Sequence, residues 1–347
     1  MLSFDLIQFD SYGAKSSCVK IVTPDTKIVI DPGVAIMHPT FPADIEDKYR
    51  WLEEGWERVY KALDDADIII VTHYHYDHHI RDDPGVYGGR KAVFIKNPNI
   101  YINDSQRERA MHLLNGLSNF FGIELNVVDP KKLGYLEDVA DKLSSIEIDF
   151  GDYNERREEL LRRGREWFNK RRDNWLSNEY IDEIFSSDLV VIYPEASKYK
   201  FGETIIRFSG PLFHGIEYSR VGWVYSVIIE YRGHKLFFSS DLNGPIIEDY
   251  ADMVVRENPE VIIMDGPMTY MFGYTLNRIN LNRCIKNMKR IIDSIDFDVL
   301  IWDHHLPRER RFRERTDEVW SHAAKRGKEV LTAREYKYGK PPVVEEL

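Results

Sequence analysis

The feature that most constrains this chain is a group of histidines that directly follows a short apolar run. Residues 68–71 read Ile-Ile-Ile-Val, and such a β-branched run predicts a fully buried strand. Four side chains that can bind a metal follow it closely: His73, His75, Asp77 and His78. Imidazole nitrogens and carboxylate oxygens suit Zn2+, Mn2+ or Fe. We therefore interpret the group as a metal-binding loop rather than an accidental histidine-rich loop.

The backbone of this loop should direct all four side chains toward one point. In extended backbone, His73 and His75 point to the same side because side chains alternate with a period of two. If a helix then begins near Asp77, its first turn can direct Asp77 and His78 back toward the same point. The loop therefore predicts a metal site at the end of the strand.

Further candidate ligands stand at the ends of later apolar runs, where buried strands would end. They are His214, Asp241, and one of the pair His304 and His305. Taken singly, His214 beside a glycine could be structural, and Asp241 could cap a helix. If these strands end at one sheet edge, the chain offers six or seven nitrogen and oxygen ligands. That number is enough for two metals that share a carboxylate and hold a bridging hydroxide.

An aspartate also ends one of the early strands. Strand patterns cover 4–9, 18–22 and 27–30, and the third runs into the turn residues Asp31-Pro32-Gly33. Asp31 could begin that turn, or it could orient a ligand histidine from below. Both interpretations are open at this point.

Helical patterns lie at 45–66 and 104–121, and a distinct segment follows them. Residues 130–188 interrupt the pattern of strands, and we interpret them as a helical insertion or cap. Within it, 151–175 interleaves arginine with glutamate. Mixed charges at these spacings predict a solvated helix with i,i+4 pairs, and a substrate-binding arm is the alternative.

Charge and hydropathy limit the classes of partner. The chain has 47 Lys+Arg and 58 Asp+Glu, a net charge of −11, so we expect no broad attraction to nucleic acid. No apolar run approaches the length of about 18 residues that a membrane helix needs, and no signal peptide is visible. Cys18 and Cys284 lie in apolar stretches and are expected to be buried free thiols. We therefore expect a cytoplasmic protein without a membrane partner.

The run His73-Tyr74-His75-Tyr76-Asp77-His78 resembles the His-x-His-x-Asp-His signature of the metallo-β-lactamase superfamily. The downstream His, Asp and His stand in the order of that family, and Asp31 at the end of an early strand also matches. The resemblance implies an α/β fold, a four-layer αββα sandwich of two mixed β-sheets flanked by helices. It covers about 1–100 and 190–305, so we expect one domain over 1–347 that carries the insertion 130–188.

The resemblance also implies the roles of the ligands. His73, His75 and His214 would bind the first of two divalent metal ions, for which Zn2+ is preferred over Mn2+ or Fe. Asp77, His78 and a late histidine would bind the second, and Asp241 would bridge both. We choose His304 as the late histidine, with His305 as the alternative. Asp77 would also position the attacking hydroxide, as the catalytic residue.

Three further stretches resemble an uncharacterised, largely archaeal branch of this superfamily, for which the resemblance implies a hydrolase. They read Phe-Ser-Ser-Asp-Leu, Asp-Gly-Pro-Met-Thr-Tyr and Asp-His-His-Leu. The preferred hypothesis is a metal-dependent hydrolase of a small ester, lactone or phosphoester. The loop 266–274, with Thr269, Tyr270 and Tyr274, would line its pocket or serve only for packing.

Three other functions compete with this hypothesis. A nuclease acting on RNA or DNA would use the arginine-rich run 308–315 for phosphates, but such a run more often begins a solvated helix. The short interval between Asp241 and His304 leaves no room for the extra domain of the nucleic-acid-cleaving subfamily. A redox di-iron protein would typically have a carboxylate where His78 stands. A metal-stabilised assembly protein without enzymatic activity is the third alternative.

Overall fold

The computed structural model of the chain describes residues 1–89, 91–129 and 134–347. In chain order its strands are β1 (Ser3–Phe9), β2 (Ser17–Val22), β3 (Lys27–Ile30), β4 (Ile68–Val71), β5 (Ala92–Ile95), β6 (Val127–Val128), β7 (Tyr180–Ile181), β8 (Ile184–Phe185), β9 (Val190–Ile192), β10 (Lys198–Phe201), β11 (Thr204–Phe208), β12 (Leu212–Phe213), β13 (Trp223–Val224), β14 (Val227–Tyr231), β15 (His234–Phe238), β16 (Val261–Asp265), β17 (Val299–Asp303) and β18 (Val330–Leu331). Its helices are α1 (Ile45–Leu63), α2 (Asp104–Phe121), α3 (Asn154–Ser177), α4 (Glu248–Glu257), α5 (Arg278–Ser294), α6 (Phe312–Lys325), α7 (Ala333–Tyr338) and α8 (Val343–Glu346). In the described residues, no helix is both long enough and apolar enough to cross a membrane.

Two seven-stranded mixed sheets form the centre of the fold. The first has the strand order β1-β2-β3-β4-β5-β9-β8, and the second β10-β11-β14-β15-β16-β17-β18. Strands β3, β4, β5 and β9 run parallel in the first sheet, and β15 to β18 run parallel in the second. The carboxyl ends of parallel neighbours meet at one edge, so each sheet can present several loops together.

The alternation of side chains along β4 shows how the layers pack. Ile68 and Ile70 belong to an apolar cluster that contains strand residues of both sheets. Ile69 and Val71 belong to the cluster that contains the outer helices. The strand is covered on both faces, and this explains its continuously apolar sequence. The predicted four-layer αββα sandwich is therefore confirmed. The predicted buried free thiols, Cys18 and Cys284, are also confirmed.

The segment 130–188 is described from residue 134 onward, and its first four residues lie outside the described part of the chain. Its main element is α3, whose outer face carries exposed ion pairs such as Arg162–Glu166, as the charge pattern predicts. Its inner face is buried at Arg157, Gly164, Phe168 and Trp175. Near its end, β8 joins the edge of the first sheet. The boundary of the insertion stays a prediction.

A buried ion network ties α3 to the core. Arg283 of α5 contacts Glu217 at 2.8 Å and Glu248 of α4 at 2.7 Å. Arg157 of α3 reaches the same carboxylate of Glu217 at 3.2 Å and donates to the carbonyl of Ser145 at 2.8 Å. Burial alone would raise the pKa of Glu217, but Arg283 and Arg157 outweigh burial and lower it. The carboxylate of Glu217 therefore stays charged and joins α3 to α5.

Glu217→Gln should lower the free energy of unfolding at pH 7 by about 3 kcal/mol, because it leaves buried arginines undercompensated. The pKa of Glu217 is lowered on folding from the ordinary glutamate value of 4.5. This contribution to stability is therefore fully present above pH 4.5 and is lost as the pH falls below that value. Urea unfolding of both proteins at pH 7 and pH 3.5 measures the difference.

The control is Glu159→Gln, at a carboxylate that pairs with Arg156 on the exposed face of α3. It should change the free energy of unfolding by about 0.5 kcal/mol or less. Equal effects of the two substitutions would show that the buried network does not stabilise the fold.

Candidate metal centre

The candidate ligands lie where parallel strands of the two sheets end at a shared edge. Thr72 and His73 follow β4 in the first sheet, and Asp241 follows β15 in the second. Two more residues of the second sheet, His304 and His305, follow β17. This edge is where the strand-end pattern of the sequence places a metal site.

The loop after β4 differs in conformation from the predicted one. Residues 76–78 form a tight turn, in which the amide of His78 donates to the carbonyl of His75 at 3.0 Å. These residues therefore form a turn and not the first turn of a helix. The turn packs on Gly33, where a Cβ atom would overlap the backbone nitrogens of His78 and His79. This close approach of two backbones holds the turn and still directs His78 inward.

One group of ligands combines both sheets. His73, His75, His214 and Asp241 offer ligand atoms that all lie within 4.8 Å of one another. Nε2 of His73 is 2.9 Å from Nδ1 of His75 and 3.3 Å from Oδ2 of Asp241. Nε2 of His214 is 3.0 Å from the same carboxylate oxygen. The structure thus brings together the four residues predicted around the first metal.

A second group lies on the other side of Asp241. Asp77, His78 and His304 offer ligand atoms within the same 4.8 Å limit. Nε2 of His78 is 3.2 Å from Nε2 of His304 and 3.4 Å from Oδ2 of Asp241. Nε2 of His304 is 3.5 Å from the other oxygen of Asp241. The carboxylate of Asp241 therefore contacts both groups, in the position of a bridging ligand.

The two late histidines differ in what their rings face. His304 directs Nδ1 toward Asp10 at 3.0 Å and Nε2 toward the second group. His305 places Nδ1 2.8 Å from Asp265, and its Nε2 is 3.9 Å from Asp241. His304 therefore faces the second group, and His305 offers a ligand atom in a further group with Asp241 and His304.

Carboxylates behind the ligands orient the imidazole rings. Asp31 contacts Nδ1 of His78 at 2.8 Å and accepts from the amide of Thr72 at 2.7 Å, so it links two of the strand ends. Asp10 contacts Nδ1 of His304, and Asp265 contacts Nδ1 of His305. Neither aspartate was predicted from the sequence. Both follow or end a strand, as Asp31 does, and that shared position is the signal that could have revealed them.

Several residues at this edge adopt strained backbone conformations. Asp31, Ser240, His304 and His305 all have positive φ angles, of 50°, 54°, 27° and 49°. Such conformations cost non-glycine residues about 1–3 kcal/mol each and are retained mainly where a side chain must be aimed. Each of these four residues is a candidate ligand, orients one, or precedes one in sequence.

The electrostatics of these residues fit a pair of cations. Within the described residues, both ring nitrogens of His214 and both carboxylate oxygens of Asp241 are buried without a well-aligned hydrogen-bond partner. Burial lowers the pKa of His73 to about 3, which keeps the imidazole neutral and able to bind a metal. Burial also opposes the charge of Asp77, but His78, His304 and Arg308 outweigh it and lower the pKa of this carboxyl.

Arg308 contributes a buried positive charge beside the second group. It forms an ion pair with Asp10, lies 3.4 Å from Oδ2 of Asp77, and donates to the hydroxyl of Tyr270 at 3.3 Å. The expectation of a solvated helix start is wrong at this residue, because Arg308 is only 4% exposed. His38, to which the sequence analysis assigned no role, stacks on Tyr270 with ring centroids 4.8 Å apart.

Comparison with known proteins shows the family to which this chain belongs. The family model described as the metallo-beta-lactamase superfamily matches residues 12–79. A UPF0282 protein of Korarchaeum cryptofilum is 30% identical over 328 residues, which cover 94% of this chain and 86% of that protein. The chain belongs to the UPF0282 family. Another member, from Methanopyrus kandleri, is 27% identical over 90% of this chain and 87% of its own length.

Solved structures with a similar arrangement are more distant from this UPF0282 chain. The metallo-beta-lactamase fold protein YhfI from Bacillus subtilis has 13% identity and a TM-score of 0.45, with 96% of each chain covered. The short form of human tRNase Z has 11% identity and a TM-score of 0.40, with 87% of this chain and 92% of that chain covered. Members of the metallo-β-lactamase superfamily are typically metal-dependent hydrolases.

Substitution of the two late histidines should have different effects on metal content. His304→Ala should lower the zinc content by about one ion per chain relative to the wild-type protein, because it removes a candidate ligand of the second group. His305→Ala should leave the zinc content unchanged. Equilibrium dialysis followed by elemental analysis measures the content, with His234→Ala, an exposed histidine, as control. The reverse pattern would assign the ligand role to His305.

Asp10→Asn should weaken binding of the second metal by about 10- to 100-fold, because the ring of His304 loses its carboxylate partner. Competition with a zinc chelator measures the affinity. Asp5→Asn, in strand β1 that precedes Asp10, changes an exposed carboxylate and should leave affinity unchanged. Thermal unfolding of both variants tests whether the fold is retained, and unchanged affinity of a folded Asp10→Asn protein would contradict the orienting role.

Proposed function

We propose that this UPF0282 protein is a metal-dependent hydrolase with a dinuclear centre, acting on a small ester, lactone or phosphoester. The observation that carries the proposal is the placement of Asp241, whose carboxylate contacts both groups of histidines. Three imidazoles and a carboxylate on one side favour Zn2+, and the mixed set on the other side suits Zn2+, Mn2+ or Fe. A bound pair of divalent cations would supply an activated water nucleophile and Lewis-acid polarisation of the substrate.

The chain's own residues then complete the reaction. Asp77 is held by Arg308 and keeps a charged carboxylate, which can orient the attacking water. The two cations would be held by His73, His75, Asp77, His78, His214, Asp241 and His304. Burial of these groups excludes bulk water, so the electrostatic interactions in the centre are strong.

The arrangement of the arginine-rich run gives less support to the nuclease alternative. Arg308 is buried against Asp10, and the exposed Arg311 pairs with Glu314. Arg313 pairs with Glu335 and Glu345. A track for nucleic acid needs unpaired cations that can displace counterions from phosphates. We therefore favour a small-molecule substrate.

Activity should depend on Asp77 and on the bridging carboxylate. The metal-loaded protein would be assayed against phosphodiesters, lactones, carboxylic esters and thioesters. On whichever substrate is turned over, Asp77→Asn should lower kcat at least about 10²-fold and weaken binding of the second metal, because the carboxylate that would bind this metal and orient the attacking water is lost. Asp241→Ala and His73→Ala should lose both metal and activity.

Asp82→Asn, at an exposed carboxylate close in sequence to the motif, is the matched control and should keep full activity. Full turnover by the His73→Ala and Asp241→Ala variants would overturn the proposal. The chelator-treated wild-type protein should be inactive, and readdition of zinc should restore its activity.

A further inference from the structure

We infer that the cavity beside His214 binds the apolar body of an anionic, amphiphilic substrate. The inference rests on the proposed hydrolase function, because it names the part of the substrate that does not react. The reacting group would lie over the metal centre, the apolar body would fill the cavity, and the anionic end would reach arginines at the cavity mouth.

The cavity is continuous with the metal centre. It has a volume of about 610 Å³ and is lined in part by His214, Asn243 and Tyr270. His214 is a candidate ligand of the first metal. The hydroxyl of Tyr270 is 3.3 Å from Arg308, which lies beside the second group. Asn243 donates to Asp265 at 3.0 Å, directly behind His305. A molecule in this cavity therefore abuts the centre, and the volume lies in the range of ligand pockets.

The walls of the cavity are predominantly apolar. The side chains that carry this character are Leu160, Ile216, Ile246, Met268, Met271 and Leu276. Methionine side chains adapt to ligands of varied shape, so the two on loop 266–276 suit an alkyl or aryl group. Burial of apolar surface there should increase affinity about fourfold for each methylene added.

The mouth of the cavity carries positive charge. Arg163 and Arg220 belong to its lining and are exposed, in contrast to the buried His214 and Asn243. Arg163 lies 3.6 Å from the carboxylate of Glu159 and is partly compensated by it. Arg220 lies over the ring of Trp167 at 4.7 Å, and within the described residues it has no carboxylate partner. An uncompensated guanidinium at the outer end of an apolar cavity selects an anionic group over a neutral one.

The wall supplied by α3 is fixed in position. Gly164 of α3 packs so closely on the ring of Tyr218 that a Cβ atom would overlap it. Arg157 anchors the same helix through Glu217. Glu217 also lines the cavity, but its charge is neutralised by Arg157 and Arg283, so it does not repel an anion. The cavity is therefore preformed, and binding needs little reorganisation.

A second cavity provides an internal control. It also has a volume of about 610 Å³, and its lining includes Leu52, Trp56, Tyr76 and His79 but none of the candidate ligands. A substitution that adds a large side chain to this second cavity perturbs packing to a similar extent but leaves the cavity beside His214 unchanged.

The test uses n-alkanesulfonates and n-alkanols of four to ten carbons as probes, with binding to the metal-loaded protein measured by calorimetry. Affinity should rise about fourfold per methylene until the cavity is full. Each sulfonate should bind about tenfold more tightly than the alcohol of equal length, and this advantage should shrink in high salt. Affinity that does not depend on chain length, or equal affinity of the two series, would overturn the inference.

Variants locate the binding site. Leu160→Trp and Met271→Trp should weaken octanesulfonate at least about tenfold by filling the cavity, whereas Leu52→Trp should not. Arg220→Gln should remove most of the preference for sulfonate over alcohol, whereas Arg162→Gln, on the exposed face of α3, should not. Loss of binding in Leu52→Trp alone would place the probes in the other cavity and overturn the inference.

Hydrolysis measured in parallel separates this inference from the proposed function. Turnover of short esters, combined with probe affinity that is independent of chain length, would reject the cavity and keep the hydrolase. Chain-length-dependent binding without turnover of any ester, lactone or phosphodiester would reject the hydrolase and keep the cavity as a ligand site.

Discussion

A carboxylate almost completely removed from water, that of Asp241, is the group on which the rest of the centre depends. A buried anion is costly unless positive charge surrounds it. Burial opposes the charge on His78, but Asp241 and Asp31 outweigh that effect and raise the pKa of His78 to about 10. The cluster therefore requires cationic charge, from protonated imidazoles or from metal ions. The arrangement of neutral and charged histidines around one anion follows from this requirement.

The two sheets are organised to meet this requirement. Asp241 comes from the second sheet, and His73 and His78 come from the first, so the centre forms only where both edges meet. The parallel strands β4, β16 and β17 end at this place, and their last residues adopt loops whose hydrogen bonds cross from one sheet to the other. An example is the 2.6 Å contact between Thr72 and Ser240. The αββα packing thus has a chemical role as well as a structural one.

The segment that includes α3 supplies one wall of the cavity beside His214. In this UPF0282 chain α3, held by the network around Glu217 and Arg283, covers that side and produces a predominantly apolar cavity with arginines at its mouth. The residues that would carry out the reaction and those that would select the substrate therefore lie on different parts of the chain. They meet at His214 and Tyr270.

The sequence by itself determined the strands, the long helices and the candidate ligands, because these depend on local patterns. A β-branched run buried on both faces, a period of 3.6 residues and closely spaced histidines can all be recognised without knowledge of distant residues. The predicted strand and helix at 68–71 and 104–121 agree with β4 and α2. All seven candidate ligands lie together for the same reason, since each ends or follows an apolar strand.

Only the tertiary structure decided which way each ring faces and what encloses the centre. The orientations of the His304 and His305 rings depend on Asp10 and Asp265, which approach from elsewhere in the chain. The turn at 76–78 packs on Gly33, which is distant in sequence. Contacts of this kind join residues far apart in sequence, so no local pattern encodes them. The cavity under α3 belongs to the same class, because its walls come from several separate elements.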